Sequence, residues 1–143
     1  MSMLDIAQRV SEAKEPEVVP EGMEYELECI KMRQGTHEAT GLEYIIYTFK
    51  ILNPPEEIVN PRFVEQFMWI SSTEDIKEAY DAQRANDNDL NMRYLFEGLG
   101  VDISQPFHME DDVVGQTGWA ILGIRDEGEY GLKNNIKKWV APK

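Results

Sequence analysis

The sequence predicts a mainly β domain of five strands, with a helical segment between the third and the fourth strand. Apolar and polar residues alternate over several short stretches, as they do in half-buried strands. Turns rich in glycine and proline separate these stretches, and residues 74–100 change to helical spacing. This order is the connectivity of an OB-fold barrel. A general α+β domain has the same element order, so the pattern favours the OB-fold without singling it out.

The N-terminal residues 1–20 predict a short helix or a loose arm. Their weak helical periodicity is broken at Glu15-Pro16-Glu17, and Pro20-Glu21-Gly22 is a turn signal directly before the first strand. The predicted organisation is therefore an arm over residues 1–20 and one OB-fold domain over residues 21–143.

The first strand shows alternation with one slip. Its apolar positions alternate with three glutamates, and the alternation then shifts, because Ile30 and Met32 continue the apolar set after Met23, Tyr25, Leu27 and Cys29. A shift of one residue indicates a β-bulge in a long, curved strand.

The second and third strands are predicted over residues 42–52 and 62–70. In the second strand the core face is Ile45, Tyr47, Phe49 and Ile51, and the opposite face is Tyr44, Ile46, Thr48 and Lys50. Two prolines, Pro54 and Pro55, end it. In the third strand, Phe63, Phe67 and Trp69 lie on one side and Arg62 on the other.

The following segment predicts a helix with an interruption. Residues 71–74 offer N-cap side chains, the polar run 86–89 is expected to break the helix, and Gly98 and Gly100 end it. After a loop, the fourth strand is predicted over residues 116–125 and the fifth over 133–140. Alternation places Trp119 and Arg125 on the outer face of the fourth strand, and Lys137 and Trp139 together on one face of the fifth.

The charge of the chain argues against general affinity for nucleic acid. The 143 residues carry 27 acidic and 14 basic side chains, for a net charge of −13. Residues 113–143 are the exception, with five basic and three acidic residues. A basic C-terminal segment in an otherwise acidic sequence indicates a local surface that can bind anions.

The remaining composition favours a soluble domain of a reducing cytoplasm. There is no apolar run that could span a membrane and no secretory signal at the N-terminus. Cys29 is the single cysteine, and the two histidines, His37 and His108, are too few and too far apart for a metal site. No metal and no cofactor are predicted.

The sequence contains no arrangement of residues that supports enzyme catalysis. Adjacent carboxylates such as Glu110-Asp111-Asp112 point apart on an extended chain and are expected to be a solvated loop rather than an Mg²⁺ site. Cys29 lies in the core phase of its strand, and Ser71-Ser72 is expected to cap a helix. No glycine-rich phosphate loop is present. No catalytic residue is therefore predicted, and an Mg²⁺-dependent nuclease is only a minor alternative.

Aromatic and basic residues on the outer faces of the strands favour binding of single-stranded nucleic acid, in which bases stack on rings and cations follow the phosphates. The stacking candidates are Tyr44, Trp69, Trp119 and Trp139. The phosphate candidates are Lys31, Arg33, Lys50, Arg62, Arg125, Lys133 and Lys137. The alternative is that Trp119 and Trp139 pack beneath the helix or the arm.

The sequence also resembles the bacteriophage OB-fold single-stranded DNA-binding proteins encoded among phage replication and recombination genes. The resemblance covers about residues 20–142 and rests on five short motifs in order. They are Pro20-Glu21-Gly22-x-x-Tyr25, Thr40-Gly41 before residues 47–52, Leu95-x-x-Leu99-Gly100-Val101, Asp112-Val113-Val114-Gly115 and the final hairpin 130–139. Family members end in an acidic tail that recruits replication proteins, whereas this sequence ends in Ala141-Pro142-Lys143. The resemblance implies the binding face, and this departure leaves recruitment through an acidic tail open.

The resulting prediction is a non-enzymatic, sequence-independent binding protein that protects and organises single-stranded DNA in the host cytoplasm during replication or recombination. Phage or host replication proteins are expected as further partners, and no membrane is. The alternative from another class is a protein–protein or structural phage module that uses the same barrel and its acidic surface. DNA over RNA preference, site size and homodimer formation are left open by the sequence.

Overall fold

The computed structural model describes residues 3–141; residues 1–2 and 142–143, which the predicted arm and domain ranges include, lie outside the described part. The elements are α1 (Met3–Ser11), β1 (Glu24–Thr36), β2 (Glu43–Ile51), β3 (Val64–Trp69), α2 (Thr73–Ala79), α3 (Ala82–Gly98), β4 (Thr117–Asp126), a 3₁₀ turn (Gly128–Tyr130) and β5 (Leu132–Trp139). The predicted order of three strands, a helical segment and two strands is confirmed. None of the helices within residues 3–141 is both long and apolar enough to cross a membrane.

The five strands form one antiparallel sheet in the order β3-β2-β1-β4-β5. The central strand β1 is shared, because its N-terminal half pairs with β4 while most of its length pairs with β2. Strands β3 and β5 are the two edges of the sheet. Residues 3–141 thus form a mainly β structure with three α-helices. The sheet is not closed, because β3 and β5 are not hydrogen-bonded neighbours in it.

The predicted bulge in β1 is confirmed. The register with β2 shifts between Cys29 and Lys31, so Ile30 is the extra residue. Cys29 is fully buried before the bulge, and Met32 packs against the core after it. The shift therefore changes which alternate residues face the core halfway along the strand.

The core lies between the inner face of this sheet and helix α3. The predicted core face of β2 is confirmed, because Ile45, Tyr47, Phe49 and Ile51 are all at most 2% exposed. Helix α3 contributes Leu95 and Phe96, and the ring of Phe96 stands edge-on to that of Tyr47 with centroids 6.3 Å apart. The Tyr47 hydroxyl donates to the carbonyl of Met109, at 2.5 Å, which fastens the loop after α3 to the core.

The predicted interruption of the helix at residues 86–89 is wrong. Helix α3 runs through them, and the break lies earlier, where Asp81 caps α3 by accepting a hydrogen bond from the Arg84 amide at 2.8 Å. The buried Asn88 side chain accepts from the Trp69 amide and donates to the Trp69 carbonyl, both at 2.9 Å. These bonds to edge strand β3 explain why a residue with weak helix propensity occupies the middle of a helix.

The gap between the two edge strands is bridged near both of its ends; we call this gap the seam. At one end, the arm lies in the seam. The Glu17 amide donates to the Asn60 carbonyl, and the Arg62 amide donates to the Glu17 carbonyl, at 2.9 and 2.8 Å. Two residues on, Val19 is fully buried and belongs to the same core as the sheet. At the other end, the Trp139 indole of β5 donates to the Gln66 side chain of β3 at 3.1 Å.

Asn134 of β5 fixes the arm in place. Its side chain accepts from the Val19 amide at 2.9 Å and donates to the carbonyls of Val19 and Gly123, each at 3.0 Å. Asn134 is only 4% exposed, so water does not replace these bonds when the amide is removed.

Replacing Asn134 with alanine is expected to lower the free energy of unfolding by about 2–4 kcal/mol, because buried backbone groups of the arm lose their partner. Urea unfolding followed by far-UV circular dichroism measures the change. The neighbouring Asn135→Ala variant is the control and is expected to change stability by about 0.5 kcal/mol or less. Equal losses in the two variants would contradict the role of the arm in bridging the seam.

Candidate nucleic-acid interface

The outer face of β1, β2 and β3 is arranged in cross-strand rows, because residues directly opposite each other in neighbouring strands point to the same side. Three rows follow from the register. They are Gly35, Tyr44 and Trp69; Arg33, Ile46 and Phe67; and Lys31, Thr48 and Glu65. The sequence-predicted candidates Lys31, Arg33, Tyr44 and Trp69 therefore share one face.

Three rings on this face form a continuous aromatic cluster, which consists of Tyr44, Phe67 and Trp69. The centroid of Phe67 lies 4.9 Å from that of Tyr44 and 4.7 Å from that of Trp69, and Tyr44 lies 6.1 Å from Trp69. Phe67 is 47% exposed and offers the most open ring of the three. The sequence-based site omitted Phe67, although its position two residues before Trp69 in a strand was a sufficient signal.

The aromatic cluster is supported from outside the sheet. His37, in the loop between β1 and β2, stands edge-on to Trp69 at 5.7 Å, and Tyr80 at the end of α2 lies 5.9 Å from it. Gly35 leaves room for the Tyr44 ring across β1, since a Cβ at this glycine would lie 2.5 Å from the Tyr44 hydroxyl oxygen. Trp69 and Tyr44 are therefore packed from the side, and Trp69 also contacts a buried cluster of Leu42, Ile76 and Ala85.

A groove of about 720 Å³ opens beside the aromatic cluster, along the seam between β3 and β5. We call it the seam groove. Three sequence-predicted cations line it together with Phe63, Asn135 and the outer side of Phe67; these cations are Arg62, Arg125 and Lys133. Arg125 and Lys133 stand directly opposite each other in the β4–β5 register. Like charges in that position repel, and the carboxylate of Glu127, 3.6 Å from the Lys133 amine, offsets part of this repulsion.

Two further predicted cations lie outside these two surfaces. Lys50 stands opposite Glu28 in the β1–β2 register, so a carboxylate adjoins its charge. Lys137 is exposed, and its aliphatic stem lies over Gly123 on the outer face of β4, where a Cβ would come within 2.5 Å of it.

Trp119 is exposed, as its predicted phase requires, but its surroundings are acidic. Its side chain is 42% exposed, and Glu26 of β1 stands directly opposite it. Glu24 and Glu28 flank Glu26 on the same face, opposite Ile121 and Thr117. Phosphates are therefore repelled from this ring.

The predicted outward position of Trp139 is wrong. Trp139 is 8% exposed, and its ring packs against Phe49 with centroids 5.4 Å apart. The cause is a second bulge: Ile136 pairs with Leu122 and Lys138 pairs with Ile121, so Lys137 has no opposite residue in the β4–β5 register. The slip turns Trp139 inward, and Trp139 is therefore a core residue and not a stacking candidate.

The residues considered for nucleophilic chemistry serve structural roles. Cys29 is fully buried, and burial raises the pKa of its thiol to about 11, so the thiol is protonated at neutral pH. Ser72 caps α2 by accepting from the Asp75 amide, and Ser71 accepts from the Glu43 amide. Within residues 3–141, no three His, Cys, Asp or Glu side chains are grouped so as to hold a metal ion.

Comparison with known proteins finds no matching family model and no significant match among curated proteins. The resemblance to phage single-stranded DNA-binding proteins stays a prediction, and the geometry of the outer face is what supports a function.

The two tryptophans of the C-terminal strands are expected to respond differently to truncation. Trp139→Ala should lower the free energy of unfolding by about 3–5 kcal/mol, because it removes a large buried side chain from the core. Trp119→Ala, the matched control on the surface, should cost about 1 kcal/mol or less. Urea denaturation of both variants measures the difference, and a larger loss for Trp119→Ala would contradict the register of β5.

Proposed function

We propose that this protein binds single-stranded DNA independently of sequence, through the aromatic cluster and five cations around it. The observation that carries the proposal is that the exposed Phe67 ring and the half-buried rings of Tyr44 and Trp69 adjoin a groove that three cations line. Two carboxylates, Glu65 and Glu127, also line this groove. The cations are Lys31 and Arg33 beside the aromatic cluster and Arg62, Arg125 and Lys133 in the seam groove. Rings that stack on any base and cations that follow any backbone require no particular sequence.

We further propose that the sheet is an OB-fold barrel, with the seam as its partly open side. The shared and bulged β1, the helices between β3 and β4, and the bridging of the seam support this assignment. OB-folds bind oligonucleotides on the face of strands two and three, between the β1–β2 and β4–β5 loops. Both loops border the surface here. His37 contacts Trp69, and an Arg62 guanidinium nitrogen lies 3.8 Å from where a Cβ on Gly131 would be.

The charges around the aromatic cluster define a path for the strand. The carboxylates of Glu24, Glu26 and Glu28 repel phosphates from the N-terminal half of β1. The backbone of the bound strand therefore runs from Lys31 and Arg33 along the row of Arg33, Ile46 and Phe67 towards the seam groove, beside the row that ends in Glu65. It avoids Trp119 and Lys50. This separation reconciles local binding of a polyanion with a net charge of −13.

Binding without catalysis is part of this proposal, as is a role in protecting single-stranded DNA in replication or recombination. Base stacking requires unpaired bases, so a duplex of the same sequence is expected to bind far more weakly. Equal affinity for a duplex would contradict stacking, and tighter binding of the matching RNA strand would make RNA the ligand. Absence of binding to any of them would favour the protein–protein alternative.

Replacing Phe67 with alanine is expected to weaken binding of labelled oligo-dT by about 1–3 kcal/mol, because a stacking ring is lost. Fluorescence anisotropy at fixed salt measures the affinity. Tyr94→Ala on α3 is the matched control, since Tyr94 is also 47% exposed but neither belongs to the aromatic cluster nor lines the seam groove. Unchanged affinity in Phe67→Ala, with Tyr94→Ala behaving identically, would remove the aromatic cluster from the site.

The salt dependence tests the cations. Five phosphate contacts predict a slope of log Kobs against log salt near −3.5, from about −0.7 for each contact with a single strand. Neutralising Arg62 and Lys133 to glutamine should reduce its magnitude by about 1.4. The control pair Arg9→Gln with Lys77→Gln removes the same charge from exposed positions of α1 and α2. If both pairs change the slope equally, long-range charge rather than the seam groove determines binding.

A further inference from the structure

A second groove, of about 500 Å³, lies on another part of the surface, where the end of α3 meets β4 and the end of β5. Trp119 forms one wall, and Leu99 and Val140 contribute apolar sides. Gly118 lets the end of α3 pack directly on β4 beside this groove, because a Cβ there would overlap the Gly98 carbonyl oxygen. We call this the Trp119 groove. It combines an exposed indole with the closely packed end of a helix.

The charges around the Trp119 groove are mostly negative. Glu24, Glu26 and Glu28 present their side chains along the outer face beside Trp119. The carboxyl end of α3 also borders the groove through Gly98 and Leu99, and its last turn contains no basic residue. Glu97 in that turn is paired with Arg93, at 4.0 Å, so the helix end acts here through its backbone carbonyls. A helix carboxyl end carries partial negative charge and favours a cation. The neighbouring cations on the sheet, Lys50 and Lys138, lie at the ends of this acidic row.

We propose that the Trp119 groove is a docking site for a basic peptide segment of a partner protein. An arginine of the partner stacks its planar guanidinium on the Trp119 indole, and the carboxylate of Glu26 pairs with that cation. An apolar residue next to the arginine packs against Val140, which lines the groove. Charge complementarity identifies the occupant, because the acidic row repels nucleic acid and attracts a cationic chain.

This site is independent of the DNA-binding surface. The aromatic cluster lies on β2 and β3, whereas the Trp119 groove is formed by β4, the end of β5 and the end of α3. A bound strand and a bound peptide would therefore occupy the protein at the same time, and failure of one proposal leaves the other standing.

The test uses a blocked peptide, Gly-Arg-Leu-Gly-Arg-Gly, added to the full chain labelled with ¹⁵N. Saturable shifts are expected for the Trp119 indole and for amides of residues 24–28, 98–100, 117–119 and 140–141. The peptide with glutamate in place of arginine should cause no such shifts. Shifts spread evenly over the acidic surface would overturn the proposal.

Variants distinguish a specific site from general charge attraction. Trp119→Ala should weaken peptide binding by about fivefold or more, through loss of the cation–π contact. Glu26→Gln is expected to weaken it as well, whereas Glu110→Gln, which removes the same charge from an exposed loop, should not. Equal effects of the two glutamine variants would contradict the site.

Two further measurements address other occupants. Adding oligo-dT should leave the Trp119 indole signal in place, and a large shift would assign this ring to DNA instead. Raising the protein concentration without peptide should also leave it unchanged, since concentration-dependent shifts at the Trp119 groove would make a second copy of the chain the occupant. Either result would overturn the proposal of a basic partner.

Discussion

The bulge at Ile30 is the constraint on which the proposed site depends. Without it, strict alternation from Cys29 would turn Lys31 and Arg33 towards the core, where two unpaired cations would be prohibitively costly. With one extra residue, both cations pair across from Thr48 and Ile46 on the outer face. A single register shift in β1 therefore puts positive charge beside the aromatic cluster. It also leaves Met32 to fill the core opposite Tyr47.

Amide side chains bridge the edges of the sheet where the strand ladder is open. Asn88 binds both backbone groups of Trp69 on β3, Asn134 of β5 binds Val19 of the arm, and Gln66 accepts from Trp139. Edge strands expose backbone groups that invite aggregation unless they are covered. Side chains and the arm cover them here while leaving a gap between the strands. That gap is the seam groove, so the groove and the protection of the edges have the same origin.

The order of strands and helices along the chain, the bulge in β1 and the core face of β2 are predictable from the sequence. In each case the alternation of apolar and polar side chains shows which residues face the core. The apolar residues of β1 occupy odd positions up to Cys29 and even positions from Ile30 to Met32, and this change indicates the bulge. Strand β5 gives a weaker sign, because Ile136 and Trp139 are the only apolar residues beside its bulge at Lys137 and the others are lysine and asparagine. Unbroken alternation therefore misplaces Trp139. The sequence also predicts a break in α3 at residues 86–89, because its polar residues give no local sign that one of them is buried. The partner of Asn88 lies 19 residues away in sequence, and local propensity cannot register it.

The boundary between negative and positive charge on the outer face of the sheet lies within β1. In β1 the residues before the bulge present glutamates to the outer face, and those after it present Lys31 and Arg33. A polyanion is attracted to one half of the strand and repelled by the other, while a cationic chain experiences the reverse. Because the halves adjoin different neighbours, β2 and β3 on one side and β4 on the other, each half has its own exposed aromatic surface. In the proposed mode of binding, the acidic row confines a bound strand to the aromatic cluster and leaves Trp119 for the proposed partner of opposite charge.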